Sequence, residues 1–226
     1  VYKRQMYDSA DGQLARMTGQ KSEIGRILDG VSGDFWFISI YAAICLRLTP
    51  EWSYWIWILA AVTGLCHSKQ AAMADYYRNI HLFFLKGKSG SELDNYVQQK
   101  AIYNSLSWKK DFIRKLFLWF YCDYTRSQER LTPAFQRFFA LLQQRYGAVA
   151  PQEIRNEFRR ESLPLMKYTN ILSFNTRVTV LFISLLINEP WLYFVFELTV
   201  LNGLLIYMIW QHERLSNKLY KEIQMS

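Results

Sequence analysis

Three carboxylates near the start of this chain are spaced in a way that suits the binding of divalent metal ions. Asp8 and Asp11 are three residues apart, and Asp29 follows further along. On a helix, residues three apart lie on the same side, so the first two carboxylates can act together. Hard divalent cations prefer carboxylate oxygens, and such cations assist reactions of phosphate-bearing substrates. The stretch therefore predicts metal-assisted chemistry on a phosphate.

Small and basic residues accompany these carboxylates. Gly12 and Gly25 leave the backbone open to close approach by a nucleotide or by another helix, and Arg16 can pair with phosphate oxygens. Asp29 lies four residues after Gly25, on the same face of the next helix. If the two helices meet at the boundary of a membrane, the three acids converge there. A cation would then be needed to neutralise them, since like charges resist joint burial.

The elements that must position these residues are apolar helices. Of the 226 residues, 51% are hydrophobic and 17% aromatic, and no alternating strand pattern is visible. Long apolar runs cover residues 35–46, 52–66, 178–187 and 191–210. The first three runs are short for a membrane span unless their flanks continue the same helices. The sequence therefore predicts an all-α, polytopic transmembrane helix bundle.

The basic residues, which give a net charge of +8, are distributed unevenly. Apart from Arg47 and Arg177, every Lys and Arg lies within residues 1–28, 68–167 or 211–226, whereas the connections 49–51 and 188–190 carry acids only. By the positive-inside rule, the carboxylate motif, the middle segment and the C-terminus are cytoplasmic. The long apolar runs argue against nucleic-acid binding. The expected interfacial anchors are Trp52, Trp55, Trp191 and Tyr193.

Helix signals divide the first part of the chain. Ser22 and Glu23 begin a helix that carries Asp29 and is predicted to end at Leu48. The next helix should begin near Pro50 and end at about Leu85, where residues 86–91 break the pattern. We predict a single membrane-embedded domain over residues 1–226, with a cytoplasmic or interfacial helical insertion at 86–165. Residues 1–5 resemble a translated adapter tail from a metagenome assembly, so a hydrophobic region is expected to be missing before Asp8.

Two aromatic stripes run through the insertion. The first has a polar opposite face and should pack on an apolar partner; it comprises Phe135, Phe138, Phe139, Leu142 and Tyr146. The second has basic residues beside it and comprises Trp108, Phe112, Leu116 and Trp119. A basic amphipathic helix of this kind either lies on an anionic membrane surface or packs against other helices of the same protein.

Other polar residues near the apolar runs give weaker signals. Cys45, Cys66 and Cys122 have no close spacing, which predicts neither a zinc site nor a disulfide. Arg177 is either bonded to a neighbouring helix or an anion contact for a phosphorylated acceptor. Interhelical hydrogen bonds are expected from two further residues, Glu197 and Asn202.

The order and spacing from Asp8 to Asp29 resemble the signature of the CDP-alcohol phosphatidyltransferases. That signature reads Asp-x2-Asp-Gly-x2-Ala-Arg-x8-Gly-x3-Asp-x3-Asp, and its Ala corresponds to Ala15. The chain departs from it at the last acid, because Gly33 stands at the expected position and Asp34 follows one residue late. A π-bulge around residues 30–33 would restore the direction of that acid, and such bulges are frequent at functional sites.

The resemblance implies an enzyme that moves a phosphatidyl group from a CDP-linked donor, such as CDP-diacylglycerol, to an alcohol acceptor and releases CMP in phospholipid biosynthesis. It implies two Mg²⁺ or Mn²⁺ ions, with Asp34 also as the catalytic base. The implied metal ligands are Asp8, Asp11, Asp29 and Asp34. The implied contacts to the CDP moiety are Gly12, Ala15, Arg16 and Gly25.

The resemblance also implies a homodimer in contact with membrane lipids, and a multi-pass location in the bacterial cytoplasmic membrane with the active site on the cytoplasmic side. Two alternatives remain open. A relative that kept the fold but lost the second metal would serve as a lipid-binding or scaffolding subunit. Another metal-dependent membrane phosphotransferase, such as a phosphatase, would use the same acids.

Overall fold

The computed structural model describes residues 23–87, 91, 93–147 and 149–225, with the side chains of these residues except 23–32 and 34. Throughout this part of the chain the regular elements are helices, and none is a strand. The all-α prediction is therefore confirmed.

The helices follow one another with short connections. In chain order they are α1 (Glu23–Trp52), α2 (Trp55–Lys86), α3 (Tyr96–Ser105), α4 (Phe112–Leu131), α5 (Pro133–Tyr146), α6 (Gln152–Ser162), α7 (Met166–Ile171), α8 (Phe174–Leu186), α9 (Trp191–Phe196) and α10 (Asn202–Met225). A 3₁₀ turn, Leu163–Leu165, joins α6 to α7, and a π-helical segment, Glu197–Leu201, joins α9 to α10 without a break.

The boundary between α1 and α2 lies a few residues beyond the predicted one. Helix α1 continues through Pro50 and ends at Trp52, because a proline so close to the helix end removes one backbone hydrogen bond and leaves little helix to disrupt. The turn is made at Ser53, whose φ of 55° is left-handed. The break predicted after Leu85 is confirmed, since α2 ends at Lys86 and Gly87 has a φ of 79°.

Two helical stretches in the described part of the chain are long and apolar enough to cross a membrane, Gln152–Leu186 and Trp191–Met225. They contain most of the last two apolar runs, and a turn with a left-handed Asn188 connects them. The membrane-type helix bundle is thus confirmed, whereas spans in α1 and α2 stay predictions. Trp55 is exposed as expected of an anchor. Tyr193 is buried inside the bundle, so its prediction as an interfacial anchor is wrong.

Two apolar cores share helix α2. The first half of α2 packs with α1, α8 and α9 in a cluster that includes Tyr41, Ile56 and Phe194. The second half packs with α5, α6 and α10, where the rings of Phe84 and Phe158 stack at 4.0 Å. The insertion is therefore attached to the membrane-type helices through α2 and α10.

The first aromatic stripe of the insertion packs as predicted except for Tyr146, which is exposed. Phe135, Phe138 and Leu142 are buried in the second core, and the ring of Phe139 packs against Phe83. The second stripe behaves differently, because α4 buries the opposite side, which carries Leu118, Cys122, Thr125 and Gln128. Trp108, Phe112 and Trp119 of that stripe are exposed, so the described helices leave most of it uncovered.

Candidate functional site

The predicted site residues divide into two groups. Five lie outside the described residues, namely Asp8, Asp11, Gly12, Ala15 and Arg16. Three lie on helix α1, where the structure describes the backbone only, namely Gly25, Asp29 and Asp34. The roles of all eight residues in binding metal and the CDP moiety stay predictions. For the three residues on α1, the structure gives the register of the helix.

Helix α1 is a regular α-helix throughout residues 29–34, so the π-bulge that would restore the direction of the late acid is not formed in this described stretch. At 100° per residue, positions 29 and 34 lie about 140° apart around the helix axis, whereas positions 29 and 33 lie about 40° apart. The register of the helix therefore gives Asp34 a different direction from the one that the family signature gives to its fourth acid.

Positions 33 and 34 both lie beside the stripe of α1 that faces the other helices. The buried residues that follow them recur every three or four positions and form this stripe: Phe37, Tyr41, Ile44 and Leu48. Around the helix axis, position 34 lies about 60° from Phe37 and 20° from Tyr41, and position 33 lies about 40° from Phe37 and 20° from Ile44. The buried stripe therefore does not distinguish the two positions, and only their directions relative to position 29 differ.

A buried polar cluster, which we call the Glu197 cluster, lies two helical turns further along this stripe. The Glu197 carboxylate accepts hydrogen bonds from the hydroxyls of Tyr41, at 3.0 Å, and of Tyr193. It forms an ion pair with Arg177 at 2.8 Å, and Nδ1 of His67 lies 3.2 Å from it. All five side chains are buried, so each charge is compensated by the others rather than by water.

The π-helical segment gives this cluster a backbone partner. A π-turn displaces carbonyl groups from the regular hydrogen-bond pattern, and the carbonyl of Glu197 accepts a bond from Gln70 Nε2 at 3.0 Å. The same amide nitrogen lies 2.7 Å from Asn202 Oδ1. Helix α2 is thereby bonded to the α9–α10 helix, which confirms that Glu197 and Asn202 form interhelical hydrogen bonds.

The contacts of the Arg177 guanidinium are all with residues inside the bundle. Its Nη2 donates to Gln70 Oε1 at 2.8 Å, its Nη1 lies 2.7 Å from His67 Nδ1, and its Nε donates to the Leu172 carbonyl at 3.3 Å. With Glu197 as its ion-pair partner, the buried guanidinium has four of its five N–H groups engaged within the bundle. Of its two interpretations, the structure supports the bond to neighbouring helices.

The Glu197 cluster joins α1, α2, α8 and α9, and it thus fixes the helix that carries Asp29 and Asp34. Sequence reasoning missed Tyr41 and His67 as members, and Gln70 as the residue that bonds to two members of the cluster. A signal was present, because His67 and Gln70 are polar, three residues apart, and directly follow an apolar run. A second signal was a pair of opposite charges, Arg177 just before the apolar run 178–187 and Glu197 within the run 191–210.

Among the described residues, no three His, Cys, Asp or Glu side chains lie close enough together to hold a metal ion. The side chains of the four predicted metal ligands are not among those described. Cys45 and Cys122 are buried and, like Cys66, are free thiols.

Residues 4–84 match the family model of the CDP-alcohol phosphatidyltransferases, which confirms the resemblance. The matched range contains the motif and most of α1 and α2, and it ends before the insertion. Neither a curated protein nor a solved structure matches the chain. The family match supports transfer of a phosphatidyl group from a CDP-alcohol, and with the two apolar helices it indicates a membrane protein.

Proposed function

We propose that this protein transfers a phosphatidyl group from CDP-diacylglycerol to an alcohol and releases CMP. The observation that carries the proposal is the family match over residues 4–84, which includes the spacing from Asp8 to Asp29. We further propose a multi-pass homodimer in the bacterial cytoplasmic membrane, with the motif on the cytoplasmic side. There the lipid tails of the donor stay in the bilayer while its head group reaches the acids.

The carboxylates of Asp8, Asp11 and Asp29 have the chemistry to bind Mg²⁺ or Mn²⁺. Such ions would offset the charge that develops on the diphosphate as CMP leaves. Arg16 would pair with a phosphate oxygen. Gly12 would let the cytidine end lie against the backbone.

Asp34 is proposed to accept the proton of the acceptor hydroxyl. The register turns position 34 away from position 29, so we assign Asp34 to proton transfer rather than to the ligand set of Asp29.

The metal requirement is the first expected result. The full chain in nanodiscs containing CDP-diacylglycerol and a mixture of candidate alcohols should release CMP when Mg²⁺ or Mn²⁺ is present. Chelation with EDTA should reduce the release to the rate of protein-free nanodiscs, and added Mn²⁺ should restore it. Metal-independent CMP release would contradict the proposed site. Donor binding without any turnover would favour the lipid-binding or scaffolding alternative. That alternative rests on the displacement of Asp34 from the position of the fourth acid in the family signature.

Exchanging residues 33 and 34 tests which register the acid uses. Asp34→Asn should lower CMP release about a hundredfold or more, as expected for loss of a general base. Gly33→Asp combined with Asp34→Gly should be equally impaired, because the exchange moves the acid by about 100° around the axis of α1. A side chain at position 33 is tolerated, since a Cβ there would meet no atom within 4 Å.

Gly33→Ala is the matched control and should keep the wild-type rate. If the exchanged variant is as active as the wild type or more active, the acid acts at the register of the family signature, and our assignment of Asp34 is wrong.

A further inference from the structure

Helix α4 carries an exposed apolar surface at its N-terminal end. We call this surface the α4 tip; it comprises Trp108 (45% exposed), Phe112 (57%), Ile113 (67%), Trp119 (50%) and Phe120 (54%). Leaving several large apolar side chains in water is unfavourable, and a contiguous surface of this kind marks an interaction site.

Basic residues interrupt the α4 tip. Lys109 and Lys110 are exposed between Trp108 and Phe112, and α4 carries no acidic residue from Phe112 to Phe120. Trp and Tyr are enriched where a membrane meets water, and Lys on an amphipathic helix pairs with anionic lipid head groups. The composition of the tip therefore suits a negatively charged lipid surface.

The loop before α4 is held in a defined conformation. Lys115 donates a hydrogen bond from Nζ to the carbonyl of Leu106 at 2.6 Å, and the same ammonium group lies 5.4 Å from the centre of the Trp108 ring. The backbone N–H of Ser107 also donates to the Asp111 carboxylate at 3.3 Å. The aromatic and basic side chains of the tip thus project from a fixed turn, which lowers the entropic cost of binding a surface.

The opposite side of α4 attaches the C-terminal half of this helix close to the predicted membrane boundary. Gln128 donates to the carbonyl of Ala72 at 2.8 Å, and Lys69 donates to Ser127 Oγ at 2.8 Å. Both partners on α2 lie just after the apolar run 52–66, where the predicted span ends. The C-terminal half of α4 therefore packs beside the end of that span, and the apolar side chains of the N-terminal half are exposed.

We propose that the α4 tip inserts into the head-group region of an anionic leaflet. The aromatic rings replace water with the outer acyl chains, while Lys109 and Lys110 pair with lipid phosphates. A second copy of the chain fits less well, because a symmetric contact would bring the lysines of both copies together. The contact would hold the insertion on the membrane, and it does not depend on the proposed reaction.

Photo-cross-linking tests this contact in the intact protein. Benzoylphenylalanine is placed at Ile113 or, in a second variant, at Phe120, and the protein is reconstituted in nanodiscs of phosphatidylcholine with or without phosphatidylglycerol. Gln144, exposed on α5 of the same insertion, is the control position. After irradiation, mass spectrometry identifies the cross-linked partner. We expect several-fold more lipid adduct at positions 113 and 120 than at 144, with a further increase when phosphatidylglycerol is present.

Lys109→Gln combined with Lys110→Gln should remove that further increase while leaving the adducts with phosphatidylcholine. Equal lipid adducts at positions 113, 120 and 144 would overturn the proposal, as would adducts mainly to a second copy or to residues 1–22. CMP release is not part of the readout, so a failure here is distinguishable from a failure of the proposed transferase activity.

Discussion

Replacing Asp29 with Asn is expected to lower CMP release from CDP-diacylglycerol by about a thousandfold while leaving the protein folded. The amide keeps the size of the side chain but removes the charge that would bind a divalent ion. Loss of about 4 kcal/mol of charge stabilisation at the diphosphate corresponds to that factor. The measurement is the initial rate of CMP formation at saturating Mn²⁺, with thermal unfolding of the variant as the check on folding.

Asp123→Asn is the matched control for Asp29→Asn, because Asp123 is an exposed acid on α4 outside the motif. It should release CMP at the wild-type rate. An Asp29→Asn variant that also keeps that rate would show that the reaction does not use the motif, and the proposed metal site would be wrong.

The largest expected loss of stability comes from Glu197→Gln. Arg177 would keep its charge in the bundle interior without the carboxylate that now lies 2.8 Å away. Removing one partner of a buried ion pair costs about 3–5 kcal/mol. For a chain of this size, that lowers the melting temperature by about 10 °C. The measurement is tryptophan-monitored thermal unfolding of the purified protein in nanodiscs.

Two controls separate charge from packing. Arg177→Met combined with Glu197→Leu removes both charges and should unfold closer to the wild-type temperature than Glu197→Gln does. Glu189→Gln changes an exposed acid in the turn before α9 and should have little effect. If Glu197→Gln unfolds at the wild-type temperature, the cluster does not hold α1 in place.

Local sequence patterns predicted the helices well. Glu23 begins α1 as expected, and α2 ends one residue after the predicted Leu85. The spacing of Phe135, Phe138 and Leu142 identified a buried face, because side chains at helical spacing share one side whatever they pack against. Pro50 misled the prediction of the α1 boundary, because its effect depends on how much helix follows it.

Contacts between distant parts of the chain were beyond the sequence patterns. Tyr193 beside a turn has the composition of an interfacial anchor, yet its hydroxyl bonds to Glu197 inside the bundle. Tyr41 and Glu197 meet only because α1 and α9 pack together, which no local spacing encodes. The sequence also left undecided what covers the exposed side of α4, because an aromatic stripe has the same pattern whether protein or lipid covers it.

The candidate site was identified mainly from its motif. The order of Asp8, Asp11, Gly12 and Asp29 gave the family, and the match over residues 4–84 confirms it. The register of Asp34 required the structure, because a π-bulge and a regular helix are both compatible with two glycines around it. The regular α1 helix places positions 29 and 34 about 140° apart, and for this reason we propose Asp34 for proton transfer rather than for the ligand set of Asp29.

Phosphorus NMR of CDP-diacylglycerol turnover tests the central claim most directly. The full chain is reconstituted with the donor, Mn²⁺ is present during the reaction and is removed before spectra are recorded, and candidate alcohols are supplied one at a time. Our account predicts that CMP appears together with an equal amount of a new phosphodiester lipid when the right alcohol is present. Inorganic phosphate, or CMP with phosphatidic acid whichever alcohol is present, would show hydrolysis rather than transfer and would contradict the account.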